Sequence, residues 1–159
     1  MGWPSLVFAN RLNPNGVNMA RATIGKEIHC IAKDETGLLG RTISALALKN
    51  IFILHLTAHT EDEKGHLRLI VSTDDFQKTK ESIACFIPRI EEREVLIVEF
   101  ENKTGTLAEV AKILGQNGIG VDSVYGTSSD GFKIVGIFST ADNTKARDLI
   151  NAAGGRSGF

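Results

Sequence analysis

Apolar and polar residues alternate over 27–33, the pattern of a strand with one buried face. Leu39, Ile43 and Leu46 then recur at the spacing of one helix face. The same periodicities predict five elements: a strand at 27–33, a helix capped by Thr36 and running to 47, strands at 51–60 and 67–73, and a helix at 76–87 stopped by Pro88. We expect Asn50 to end the first helix in a left-handed conformation.

The same pattern occurs a second time, with segment 28–83 answered by 95–150. Asp34-Glu-Thr-Gly-Leu-Leu39 has its counterpart in Asn102-Lys-Thr-Gly-Thr-Leu107. The second copy predicts strands at 95–100, 121–127 and 132–140, helices at 106–116 and 145–152, a helix end at Gly118, and a turn at Asp130-Gly131. A long period repeated only twice indicates two small domains rather than a solenoid.

We therefore predict an α+β fold of two ferredoxin-like βαββα(β) modules, with antiparallel sheets covered by helices on one face. The expected division is an N-terminal arm at 1–25 that need not be ordered, a first module at 26–92 and a second at 93–159. The closing strand of each module is not apparent, because 91–94 reads as a solvated linker. A strand exchanged between the copies and the N-terminal arm remain as alternative sources.

Composition narrows the classes of function. A net charge of -1 and a pI of about 6.4 give no support for nucleic-acid binding, and no apolar run is long enough for a membrane span. Two cysteines in apolar or helical patterns fit buried thiols and a cytoplasmic location. Because domains of about 65 residues bury little core on their own, we expect the copies to pack together and to form a homodimer.

The chain resembles a tandem of ACT domains over about residues 26–153. The resemblance rests on the two Thr-Gly motifs and on the Asn or Gly turn that follows each first helix and precedes an isoleucine at the start of the next strand. The resemblance implies a regulatory, non-enzymatic protein that needs no cofactor. It also implies that a small amino acid binds between the loop of one module and a strand of its neighbour. We expect no attached catalytic domain, an organisation similar to that of stand-alone regulators with two ACT domains.

The residues suggest how such a ligand would be held. Gly37 and Gly105 lack a Cβ, so a ligand can approach the main chain, and the helix amides that follow favour a carboxylate. Asp34, or Asp122 in the second copy, would face the ammonium group, and Asp122 slightly favours the second copy. The candidate ligand-binding residues are Asp34, Thr36, Gly37, Leu38 and Leu39 in the first copy, and Asn102, Thr104, Gly105, Thr106, Leu107, Asp122 and Ser123 in the second.

Other functions have weaker support. The glycines alone are equally typical of tight turns, which leaves a ligand-free interaction module that regulates a metabolic enzyme or transcription. An enzyme would need a convergent acid and base, and the sequence offers no clear pair. We expect no metal site from the four histidines of the first copy, and interpret them as polar residues on the sheet face opposite the helices: His29, His55, His59 and His66.

Overall fold

A computed structural model describes residues 20–128 and 131–154. Its elements, in chain order, are β1 (Ala20–Lys33), α1 (Leu38–Ala47), β2 (Ile53–Glu61), β3 (Lys64–Val71), α2 (Phe76–Ile83), β4 (Arg89–Glu101), α3 (Thr106–Gln116), β5 (Val121–Ser128), β6 (Lys133–Thr140) and α4 (Asn143–Gly154). The strands form one antiparallel sheet in the order β2-β3-β1-β4-β6-β5. The predicted α+β class and the order strand-helix-strand-strand-helix in each copy are confirmed. We call β1 to α2 the first unit and β4 to α4 the second unit.

The two long strands supply the closing strands. β1 pairs with β4 from Ala20↔Phe100 to Ile31↔Arg89, whereas β3 reaches only the second half of β1 and β6 only the second half of β4. Each long strand therefore begins one unit and closes the other. Segment 91–94 is part of β4, so the prediction of a solvated linker is wrong. An internal strand can carry these charged side chains because ion pairs satisfy them.

The first strand begins at Ala20 rather than at the predicted residue 27. Small and apolar residues at Ala20, Ala22 and Ile24 already alternate with polar ones, and this alternation continues into the predicted strand. Residues 1–19, the rest of the predicted arm, lie outside the described residues, and the division into domains stays a prediction.

All four helices cover the same face of the sheet. In the first unit, Leu46 and Ile83 pack on Leu69, and in the second unit Leu114 and Ile150 pack on Leu96. These core residues are at least 99% buried, and the described residues contain no helix long and apolar enough to cross a bilayer. The helices thus leave the other face of the sheet to a different set of side chains.

The helix-free face is concave. Tyr125 on β5 donates a hydrogen bond of 2.9 Å to Glu27 on β1, and Arg68 on β3 donates one of 2.8 Å to Ser123 on β5. Neighbouring strands lie about 4.8 Å apart, so a flat sheet would hold these side chains well out of reach. The sheet must curl to bring its distant strands together, and Glu27 is buried at 2% exposure as a result.

The helix ends follow the glycine and asparagine signals. Asn50 and Gly118 have φ values of 54° and 68°, which confirms the predicted left-handed ends. Thr36 is not the N-cap, because Gly37 occupies that position with φ 93°. No side chain therefore caps the start of α1. In the second unit, Gly105 is the N-cap of α3 with φ 99°. Of the predicted turn at 130–131, Asp130 lies outside the described residues and Gly131 has a positive φ of 78°.

Candidate functional site

The loop before α1 opens a helix N-terminus. The amide of Leu38 donates to the carbonyl of Glu35, but the amides of Leu39 and Gly40 donate to no oxygen within the described residues. Unpaired amides at this end of a helix carry partial positive charge and favour an anionic group. The left-handed Gly37 turns the chain so that these two amides come directly after the loop.

A cavity of about 220 Å³ lies against this loop. Its loop side is lined by Asp34, Glu35, Gly37, Leu38 and Leu39, and its strand side by Ala58 to Thr60 of β2 and by Gly65 to Leu67 of β3. Leu38 is buried at 4% exposure, whereas Leu39 is 42% exposed. The cavity is large enough for one small amino acid and combines polar with apolar walls.

The charges around the cavity are acidic. The Asp34 carboxylate accepts a hydrogen bond of 3.2 Å from the Thr60 hydroxyl, and Glu35 pairs with Arg41 at 2.6 Å. No lysine or arginine is among the lining residues. An ammonium group would therefore find a carboxylate in Asp34, while the open helix end of α1 offers the opposite charge.

The second loop differs in detail. The buried Thr106 donates its hydroxyl to the carbonyls of Glu101 and Lys103, at 2.7 and 3.0 Å, so its side chain is satisfied within the loop. Asn102 takes the place of Asp34 and donates to the carbonyl of Gly131 at 3.0 Å. Exposed Thr104 and half-exposed Leu107 complete this loop, which does not line the cavity beside Gly37.

Asp122 and Ser123 do not meet the second loop within one chain. They lie where β5 begins, and β5 runs in the same direction as β4, so the loop that follows β4 is at the opposite end of the sheet. Asp122 is exposed, and the Ser123 hydroxyl accepts from Arg68. The structure thus brings Asp34, Gly37, Leu38 and Leu39 together around a cavity that Thr36 does not line, and it keeps Asp122 and Ser123 away from the second loop.

Two histidines border the first cavity through their positions on β2 and β3, whereas strand alternation places their side chains on the helix-free face. His59 and His66 are register partners on β2 and β3, and their rings stack with centroids 5.0 Å apart. His66 Nδ1 is 3.0 Å from Nε2 of His29, which is only 3% exposed. Burial, aided by Arg93 and Arg68, lowers the pKa of His29 to about 4.

No cluster of three or more potential ligands within the described residues is arranged to hold a metal ion. Sequence reasoning missed the part played by β2 and β3 in the cavity. The available signal was the position of His59 and His66 on either side of the predicted hairpin loop at 61–65, since residues placed in this way pair across the turn.

Comparison with known proteins defines the fold. Neither a family model nor a curated protein matches the chain. A protein from Bacteroides thetaiotaomicron is 20% identical, covers 86% of this chain and 91% of its own length, and has a TM-score of 0.73. The ligand-free regulatory subunit of aspartate kinase from Thermus thermophilus is 14% identical over 84% of this chain and 95% of its own, with a TM-score of 0.63.

The same fold occurs within a larger enzyme. The structure of E. coli aspartokinase III in complex with lysine and aspartate covers 84% of this chain and 31% of its own, at 16% identity and a TM-score of 0.52. At these identities the likeness shows the fold, which is of the ACT-like ferredoxin type.

Proposed function

We propose that this chain is a non-catalytic regulatory protein that binds a small α-amino acid in the cavity beside Gly37. One observation carries the proposal: the cavity of about 220 Å³ is bordered by an open helix N-terminus and by the Asp34 carboxylate. A zwitterion carries a charge that complements each of these groups. The resemblance in fold to the regulatory subunit of aspartate kinase supports a regulatory role.

The second loop would form a site only with another chain. Asp122 and the Gly105 loop lie at opposite ends of their unit, and β5 pairs with β6 alone at the edge of the sheet. A homodimer that aligned β5 of one chain with the loop of its partner would join the two halves. Ligand binding between chains would then stabilise the dimer, because the ligand binds the assembled state.

Thermal unfolding in the presence of each of the twenty amino acids at millimolar concentration tests the proposal. A ligand at about one hundred times its Kd stabilises the folded state by about 2.7 kcal/mol, which gives a shift of several degrees. Asp34→Asn should abolish this shift, because it removes the charge that faces the ammonium group. Asp74→Asn, an exposed position in the same unit, is the matched control and should retain the shift.

A ligand-free interaction module is the second candidate. Gly37 and Gly105 have φ values of 93° and 99°, so their backbone conformation favours glycine without any ligand. This candidate predicts no shift with any amino acid and a stable complex with a metabolic enzyme or a transcription regulator. A folded protein with no response across the whole panel would favour it over the amino-acid sensor.

A further inference from the structure

We propose that a groove between α1 and α2 is a second binding site, which takes a small amphipathic carboxylate and holds its acid group through Arg41. The groove has a volume of about 340 Å³, against about 220 Å³ for the cavity beside Gly37. Glu35 is the residue that lines both spaces. The inference goes beyond the proposed amino-acid site and does not depend on it, since this ligand needs no ammonium group.

Apolar residues form the floor and the walls of the groove. Ala32, on the helix-covered face of β1, and Ile87, in the segment that follows α2, belong to the buried core of the first unit. Ala84, Phe86 and Pro88 line the same space. An apolar group of about the size of one ring would be removed from water here, and this burial favours binding.

Arg41 supplies the positive charge of the groove. Its guanidinium lies over the ring of Phe86, 4.7 Å from the ring centroid, and both residues line the groove. Nη2 of Arg41 donates to Oε1 of Glu35 at 2.6 Å, whereas Nε and Nη1 donate to no oxygen within the described part of the chain. A planar guanidinium presents paired N–H groups that match the two oxygens of a carboxylate.

The other charges near the groove do not face it. Lys33 is among the lining residues, but it follows Ala32 in β1, so strand alternation directs its side chain towards the helix-free face. The carbonyl of Ile83, at the end of α2, accepts a hydrogen bond of 2.9 Å from the amide of Ile87 and is thereby occupied. Arg41 is therefore the group that would attract an anion into the groove.

Glu35 is a replaceable partner for Arg41. Both side chains are 50% exposed, and an ion pair between groups as exposed as these contributes little to stability. The carboxylate of a ligand can therefore replace Glu35 while the apolar part of the ligand is buried against the floor. An uncharged ligand cannot compete for Arg41 in this way, and a carboxylate without an apolar part gains no burial. The groove thus favours a molecule that carries both.

The reactivity of Cys85 measures occupancy of the groove. Cys85 lines the groove and is exposed, whereas Cys30 is fully buried, so the uncharged reagent dithiodipyridine should modify Cys85 in the folded protein. Phenylacetate at millimolar concentration should slow this reaction in a saturable way. Phenylacetamide lacks the charge and should bind about tenfold more weakly, the value of one hydrogen bond to a charged group. Acetate lacks the ring and should give no protection.

Two substitutions at the ion pair should act in opposite directions. Arg41→Gln should weaken phenylacetate binding about tenfold, since it removes the charged donor. Lys78→Gln removes an exposed charge from α2 and is the matched control, which should leave binding unchanged. Glu35→Gln should strengthen phenylacetate binding several-fold, because it removes the competing carboxylate. An ion pair with a purely structural role predicts no such gain.

Amide NMR spectra of the wild-type protein provide a readout that requires no variant, since phenylacetate should shift the signals of Arg41 and of residues 84–87. Equal protection by phenylacetamide, unchanged binding in Arg41→Gln or weaker binding in Glu35→Gln overturns the inference. Unprotected Cys85 together with unshifted amides at 84–87 overturns it as well. Each of these results leaves the amino-acid sensor standing, because Cys85 does not line the cavity beside Gly37.

Discussion

Acid should destabilise this protein through His29, and replacing His29 with glutamine should remove that part of the loss. In the folded state burial holds the pKa of His29 at about 4, against 6.5 for an ordinary histidine. The unfolded chain therefore binds the proton at a higher pH than the folded chain. The folded state is favoured most above pH 6.5, and this advantage decreases as the pH falls towards 4.

The size of the effect follows from these two pKa values. The full difference is equivalent to about 3 kcal/mol, since each tenfold change in proton affinity equals about 1.4 kcal/mol. About 2 kcal/mol of it should be lost between pH 7 and pH 5. His29 is only 3% exposed, so solvent screening takes little from this value.

Other buried groups titrate in the same range. Burial also lowers the pKa of His55, which adds to the loss in acid. Burial raises the pKa of Glu27, so its contribution is present below about pH 4.5, decreases as the pH rises, and opposes the histidines. The total pH dependence therefore does not isolate His29, but the difference between the wild-type protein and His29→Gln does.

Urea unfolding followed by circular dichroism at pH 5, 6 and 7 measures the difference. The wild-type free energy of unfolding should fall by about 2 kcal/mol more than that of His29→Gln. His55→Gln is the matched control, because it removes another imidazole, a partly buried one, and should retain the His29 component. Parallel curves for the wild-type protein and His29→Gln would refute the assignment of a depressed pKa to His29.

Three further results are expected. Tyr125→Phe should cost about 1–3 kcal/mol in urea unfolding, because the buried Glu27 carboxylate loses its donor; the loss should shrink in a Glu27→Gln background. Gly37→Ala should lower stability by about 1 kcal/mol, since its φ is 93°, whereas Gly40→Ala inside α1 has open space and should raise it by a similar amount. Asn151→Leu removes two hydrogen bonds to the first half of β1, so hydrogen exchange should accelerate there and not in the second half; uniform exchange along β1 would contradict this.

The sequence determined the order of elements and the position of the first loop. Alternation and helical spacing are local properties, so the repeated strand-helix-strand-strand-helix pattern could be predicted without tertiary contacts. Gly37 and Gly105 could be located for the same reason, although their conformation makes them, and not Thr36, the N-caps. The backbone requirement at these glycines lies within the loop itself.

Only the tertiary structure decided how the sheet closes. The charged segment 91–94 lacks the alternation of a half-buried strand, and it becomes one because β1 pairs with it along its length. The contacts of Tyr125 with Glu27 and of Arg68 with Ser123 depend on the curl of six strands. Curl and strand order depend on pairing between distant segments, which no local period encodes.

The same distinction applies to the candidate site. Asp34 and Leu39 were identified from the motif, but His59 and His66 join them only through the register of the β2–β3 hairpin. The sequence offers Asp122 as the carboxylate that faces the ammonium group in the second copy, whereas the parallel direction of β4 and β5 separates Asp122 from the second loop within one chain. The sequence specifies which side chains a loop carries, and strand direction and register specify which other side chains meet them, because those contacts form between residues far apart in the chain.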